Sequence, residues 1–119
     1  MAKILVLDDV LGAGTLIKRI LERKGYEVSV FTDEEDALNY ARSNDVDLAI
    51  LDIKLKKMSG VEMLEELKNI EPAMRAIMLT GYPTLETARE SLRLGANEYC
   101  VKPIDKEELE EKVAEVLDK

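Results

Sequence analysis

Five short apolar runs punctuate the chain: Ile4-Leu5-Val6-Leu7, Val28-Ser29-Val30-Phe31, Leu48-Ala49-Ile50-Leu51, Ala76-Ile77-Met78-Leu79 and Tyr99-Cys100-Val101. Each has strand length and is bounded by polar residues or glycine, which predicts five β-strands. The stretches that follow them change period. Leu16, Ile17, Ile20 and Leu21 recur at helical spacing, as do Ala37, Leu38 and Ala41, then Val61, Leu64 and Leu67, then Ala88 and Leu92, and finally Leu109, Val113, Val116 and Leu117. An apolar stripe at that spacing predicts an amphipathic helix in each interval. The order is therefore strand then helix, five times. Strands that are apolar on both faces must be covered on both faces. The expected fold is a doubly wound α/β (βα)5 protein, a five-stranded parallel sheet sandwiched by helices and joined by right-handed crossovers.

Local punctuation agrees with these elements. Gly25 and Gly95 follow helical stretches as C-terminal stops, and Thr32 with Glu35, like Asp105 with Glu108, has capping-box spacing. Gly12-Ala13-Gly14-Thr15 stands at the start of the first helix. A helical glycine there costs roughly 1 kcal/mol relative to alanine, so a flexible first turn is expected. The segment fails as a phosphate cradle. A dinucleotide loop would need glycine at Ile17, and a P-loop needs a Gly-Lys-Ser/Thr ending.

At 119 residues the chain reads as one domain over 1–119, with no linker, repeat or low-complexity tract and no output domain expected. Its 46% apolar and 35% charged residues are the balance of a self-folding globular protein. Seventeen Lys and Arg against 25 Asp and Glu give a net charge of −8, a field that repels nucleic acid and anionic lipid. Direct nucleic-acid binding and membrane association are accordingly disfavoured. No apolar run approaches the roughly 18–20 residues of a spanning helix. Met1-Ala2-Lys3 leads straight into a strand pattern, and the single cysteine, Cys100, lies among apolar neighbours. A cytoplasmic location is expected. The chain has no histidine, which excludes histidine acid/base catalysis, His-Cys zinc sites and phosphohistidine on this chain.

Ligands of open α/β sheets bind at the carboxyl ends of the strands. The residues just beyond the apolar runs are Asp8 and Asp9, Asp52, Thr80 and Lys102. Taken singly, Asp8-Asp9 reads as a helix-capping pair and Thr80 as an ordinary strand end. Together they bring three carboxylates, a hydroxyl and an ammonium to one edge from four strands. Carboxylates held close either raise a pKa or recruit a cation, and oxygen-only ligands select a hard ion such as Mg²⁺, with Mn²⁺ as a substitute. Mg²⁺ completes its shell with water and phosphate oxygens, so phosphoryl chemistry is expected. An aspartate can be the nucleophile of such chemistry, forming an aspartyl phosphate while metal, lysine and hydroxyl neutralise the phosphoryl oxygens.

Val6-Leu7-Asp8-Asp9, Leu51-Asp52 followed by Met58-Ser59-Gly60, Leu79-Thr80-Gly81-Tyr82, Gly95-Ala96 and Lys102-Pro103 occur in this order. The ordered set resembles the receiver domain of bacterial two-component response regulators, of the single-domain chemotaxis or sporulation-phosphorelay type, over essentially the whole chain. The resemblance implies a flavodoxin-like strand order 2-1-3-4-5. It implies Asp52 as phosphoacceptor, Asp9 and Asp52 as direct Mg²⁺ ligands, Asp8 acting mainly through a coordinated water, and the Lys54 backbone carbonyl as a further ligand. Thr80 would bond the phosphoryl oxygen, Lys102 would pair with it, and the Lys102-Pro103 peptide would be cis. On phosphorylation Thr80 would move inward and Tyr99 would rotate, changing the face of the fourth helix, fifth strand and fifth helix, including Ala88 and Leu92. The chain would then be a phosphoacceptor promoting its own phosphorylation and dephosphorylation, not an enzyme with a separate substrate. The donor would be a sensor histidine kinase or phosphotransfer protein reading residues near Leu11, Ala13, Gly14, Ile17 and Lys18. The state would be a monomer with a phosphorylation-linked dimer, acting on a downstream protein.

One position departs from the family pattern. Lys56 stands where the family usually has proline, inside Lys54-Leu55-Lys56-Lys57. A solvated basic loop is favoured over steering of an anionic donor. Lys54 and Tyr82 fall two residues after Asp52 and Thr80, where bulk would screen the acyl phosphate from water. Tyr99 reads equally as a half-buried aromatic on an outer strand. Three rivals are weaker. A haloacid-dehalogenase-like phosphatase would carry a second aspartate where Val10 stands, and a flavodoxin-like cofactor binder would need a phosphate loop and an aromatic platform. A phosphorylation-independent pseudo-receiver would be favoured by loss of a site residue, and none is lost.

Overall fold

The computed structural model describes residues 1–118. The five apolar runs form β1 (Lys3–Leu7), β2 (Glu27–Phe31), β3 (Leu48–Asp52), β4 (Arg75–Thr80) and β5 (Glu98–Val101). They alternate with α1 (Leu11–Glu22), α2 (Glu34–Ser43), α3 (Gly60–Ile70), α4 (Leu85–Arg93) and α5 (Lys106–Leu117). The sheet order is β2-β1-β3-β4-β5 and every pairing is parallel, as expected. Ile4 pairs with Val28 on one side and Leu48 on the other, so β1 and β3 lie at the centre.

Because successive strand residues point to opposite faces, the apolar runs build two cores. Leu5, Leu7, Leu51 and Met78 pack with Leu38, Met63, Leu64 and Leu67 under α2 and α3. Ile4, Val6, Ile50 and Ile77 pack with Ile17, Leu21, Leu109 and Val113 under α1 and α5. All five residues of β3 are buried, and its last is Asp52. A polar side chain is therefore delivered to the carboxyl edge by the most enclosed strand.

The helix ends follow the sequence with one correction. Gly25 and Gly95 have φ of 93° and 96°, the left-handed stops their type allows. Asp105 caps α5 by accepting from the Glu108 N–H at 2.8 Å. The α2 cap, however, is Asp33, which accepts from the Asp36 N–H at 3.1 Å, not Thr32 with Glu35. Starting one residue later keeps a short side-chain oxygen at the cap while turning Glu34 inward. Ser59 and Glu62 form a reciprocal capping box on α3.

Two apolar stripes are narrower than predicted, since Leu16 is 56% and Leu92 is 59% exposed. The buried residue of α4 is Ser91, whose hydroxyl donates to the Thr87 carbonyl at 2.7 Å. Gly14 is not a flexible turn. A Cβ there would lie 2.6 Å from Val30 Cγ1, so the glycine lets α1 approach β2. Among the described residues, no helix is long and apolar enough to cross a membrane.

Candidate functional site

The order β1-β3-β4-β5 sets four carboxyl ends side by side, although Lys102 is 94 residues from Asp8 and 50 from Asp52. One carboxylate oxygen each from Asp8, Asp9 and Asp52 lies within 4.8 Å of the others. Asp8 is 2% exposed; its Oδ1 accepts from the Val10 N–H at 2.9 Å and its Oδ2 from Lys102 Nζ at 2.7 Å. Asp52 accepts from the Lys54 N–H at 3.2 Å through Oδ1 and from Lys102 Nζ at 3.3 Å through Oδ2. An oxygen-only donor set of three carboxylates, with a single ammonium to offset them, suits a hard divalent cation.

The electrostatics carry the same signature. Burial pushes the Asp52 carboxyl above its ordinary value and the neighbouring Asp8 pushes it further, while Lys102 pulls it down without cancelling the rise. Burial works against the Lys102 charge, but the hydrogen bond and field of Asp8, then those of Asp52, hold it above the ordinary lysine value. The ammonium sits nearer to Asp8 than to Asp52, so the Asp52 carboxylate is the less compensated of the two.

Thr80 is fully buried at the end of β4, and its Oγ1 accepts from the Tyr82 N–H at 3.0 Å. The Lys54 ammonium stands 4.2 Å from the centroid of the Tyr82 ring, a cation–π contact between the two residues that follow Asp52 and Thr80 by two positions. Tyr99 is half-buried, and its hydroxyl lies 2.8 Å from Thr87 Oγ1 and accepts from the Thr84 N–H at 3.3 Å. It is thus tied to the first turn of α4, away from Asp52. The Lys102–Pro103 peptide is cis.

The contacts of four residues escape sequence reasoning. Thr84 and Thr87 read as an ordinary α4 start; their contact with Tyr99 needs the β4–β5 pairing to exist. Gly60 begins α3 so close to the Asp52 strand end that a Cβ would fall onto the Asp52 carbonyl oxygen and 2.7 Å from Ile53 Cα. Glu34 is 2% exposed and accepts from the Lys57 N–H and, at 3.0 Å, from the Met58 N–H. In the sequence it is one of four consecutive acidic residues, Asp33-Glu34-Glu35-Asp36, and nothing local marks it as the buried one.

The response regulator receiver domain family model matches residues 4–114, and the chain belongs to that family. It is 34% identical over 114 residues to the transcriptional regulatory protein ZraR of Salmonella typhimurium, covering 96% of this chain and 26% of that protein. The chain thus spans about a quarter of the length of this curated relative. A CheY-like response regulator receiver domain protein from Methanospirillum hungatei JF-1 superposes with a TM-score of 0.96 at 39% identity, over 99% of this chain and 94% of that one. A response regulator protein from Burkholderia pseudomallei, solved with a phosphorylated aspartic acid, calcium ion and citrate, gives a TM-score of 0.85 at 29% identity, over 100% and 75% of the two chains. The family places the chain among the receiver domains of two-component signalling.

Proposed function

We propose that residues 1–119 form a phosphorylation switch in which Asp52 accepts a phosphoryl group from a phosphohistidine on a sensor kinase or phosphotransfer protein. The observation that carries this reading is the Asp52 carboxylate at the end of the buried β3, raised in pKa and within 4.8 Å of the Asp8 and Asp9 oxygens. The phosphorylated aspartic acid of the Burkholderia pseudomallei structure, found with a divalent cation, supports it.

In the reaction, an Asp52 oxygen attacks phosphorus, the new O–P bond forms and the donor's P–N bond breaks. The electron pair leaves with the imidazole, which takes a proton from solvent. Lys102 exchanges its Asp52 contact for a phosphoryl oxygen, and Thr80 turns its hydroxyl from the Tyr82 N–H to donate to another. Bound Mg²⁺, held by Asp8, Asp9, Asp52 and the Lys54 carbonyl, would supply Lewis-acid neutralisation of the phosphoryl charge. Mn²⁺ satisfies the same hard oxygen set.

Movement of Thr80 is read out through Tyr99. Its release from Thr84 and Thr87 repacks the face of α4, β5 and α5, where Leu85 and Leu92 are exposed at 67% and 59%; a downstream protein or a second copy binds there. The donor reads the exposed side of α1. Leu11 is 63% exposed, whereas Gly14 and Ile17 are buried and act on recognition only through the shape of the helix.

Beryllofluoride with Mg²⁺ mimics an acyl phosphate and tests the reading. The expected result is a shift of the Thr80, Lys102 and Tyr99 amide resonances in the wild type and none in Asp52→Asn. Unchanged spectra in the wild type would favour a phosphorylation-independent interaction module.

A further inference from the structure

A buried carboxylate is costly unless its oxygens are bonded, and Glu34, at the start of α2, has no role in the chemistry above. Its Oε2 receives two backbone N–H groups, from Lys57 and Met58. Both belong to the segment between Asp52 and α3, the one that contains Lys54. Beside it, Lys57 Nζ meets Asp33 Oδ1 at 2.7 Å, and this ammonium holds the Asp33 carboxyl below its ordinary range. The ends of the segment are fixed separately. Lys54 N–H bonds Asp52, Gly60 N–H bonds the Ile53 carbonyl at 2.7 Å, and Ser59 closes the α3 capping box. Among the described residues, the hydrogen bonds that tie Lys57 and Met58 to another element end on Asp33 and Glu34. Without them the middle of the segment keeps only the apolar contacts of Leu55 and Met58 with the core below.

We propose that Glu34 is a positioning residue for the acceptor site: by clamping the Lys57 and Met58 amides it sets the path of the 53–59 segment and hence the place of the Lys54 backbone beside Asp52. The inference rests on the reading of Asp52, Asp8, Asp9 and Lys54 as the Mg²⁺-binding phosphoacceptor set. Glu34 touches neither metal nor phosphoryl group. It acts through the backbone, as outer residues do when they orient a ligand, where their loss typically weakens metal binding at least tenfold.

Both amides converge on one oxygen, so glutamine can keep the clamp and alanine cannot. Calorimetric Mg²⁺ titration of the full chain and hydrogen exchange of the Lys57 and Met58 amides are compared for the wild type, Glu34→Ala and Glu34→Gln. The expected result is a Mg²⁺ dissociation constant about tenfold higher in Glu34→Ala, with faster exchange at both amides, and near-wild-type values in Glu34→Gln. If Glu34→Ala does not fold, Glu34→Asp withdraws the oxygen by one methylene and carries the same comparison. A variant that melts earlier but binds Mg²⁺ like the wild type would overturn the proposal, leaving Glu34 a purely structural residue. A wild type that neither binds Mg²⁺ nor takes a phosphoryl group from acetyl phosphate would overturn the underlying reading as well. That failure is recognised because it is seen without any substitution.

Discussion

At the scale of single residues, the site holds charge that the fold would shed if stability alone governed it. Asp52 keeps its proton to higher pH in the folded chain than in the unfolded one, because burial and Asp8 together outweigh Lys102. Between the ordinary aspartate value of 3.8 and the raised one, the folded state binds more protons, so stability falls as pH rises through that window. Asp52→Asn removes this penalty. Without divalent cations, Asp52→Asn is expected to melt at a higher temperature than the wild type at neutral pH, the gap shrinking as pH falls toward about 4. Added Mg²⁺ should close the gap by stabilising the wild type alone, and scanning calorimetry over pH checks both trends. The Lys54 and Tyr82 side chains also act at this scale. Their cation–π contact is partly exposed, since Tyr82 is 68% accessible, and such contacts are worth about 0.5–1 kcal/mol. As a screen against water it would slow loss of the phosphoryl group. Lys54→Ala and Tyr82→Ala are each expected to shorten its half-life about two- to fivefold, followed by the decay of phosphorylated protein; unchanged decay in both would remove the screen.

Among the elements, α1 shows why glycines that look alike in sequence are not equivalent. A Cβ at Gly12 meets nothing within 4 Å, whereas one at Gly14 meets Val30. Gly12→Ala is expected to stabilise the chain by about 0.5–1 kcal/mol through helix propensity and unfolded-state entropy. Gly14→Ala gains the same amount but forces α1 away from β2, and is expected to lose about 1–2 kcal/mol net; urea unfolding of the pair checks the contrast. Strands and helices were legible because burial writes its period directly into the sequence, as in Leu48 to Leu51 or Ala37, Leu38 and Ala41. The α2 cap was misplaced by one residue because Thr32, Asp33, Glu35 and Asp36 all carry cap chemistry. Tertiary burial of Glu34 decides among them. The α4 stripe was overdrawn for a related reason: Ser91, a polar residue, is the one that turns inward, with its hydroxyl satisfied by the Thr87 carbonyl.

Across the whole molecule, the topology converts four distant strand ends into one site. The convergence of Asp8, Asp9, Asp52, Thr80 and Lys102 on one edge was readable because parallel strands end on a common edge. The contacts that support them were not, because each joins residues from unrelated positions: Glu34 with Met58, Tyr99 with Thr87, Gly60 with the Asp52 backbone. Sequence periodicity is local, whereas support of a site is a property of neighbours in space. In the proposed switch the same separation would divide the labour, with chemistry at the carboxyl edge and readout on α4, β5 and α5, joined by Thr80 at the end of β4. The most direct test of the central claim is the intact mass of wild-type chain and Asp52→Asn after incubation with acetyl phosphate, with and without Mg²⁺. A gain of one phosphoryl group that requires both Mg²⁺ and Asp52 is the expected result; no gain in the wild type, or an equal gain in Asp52→Asn, would contradict the account.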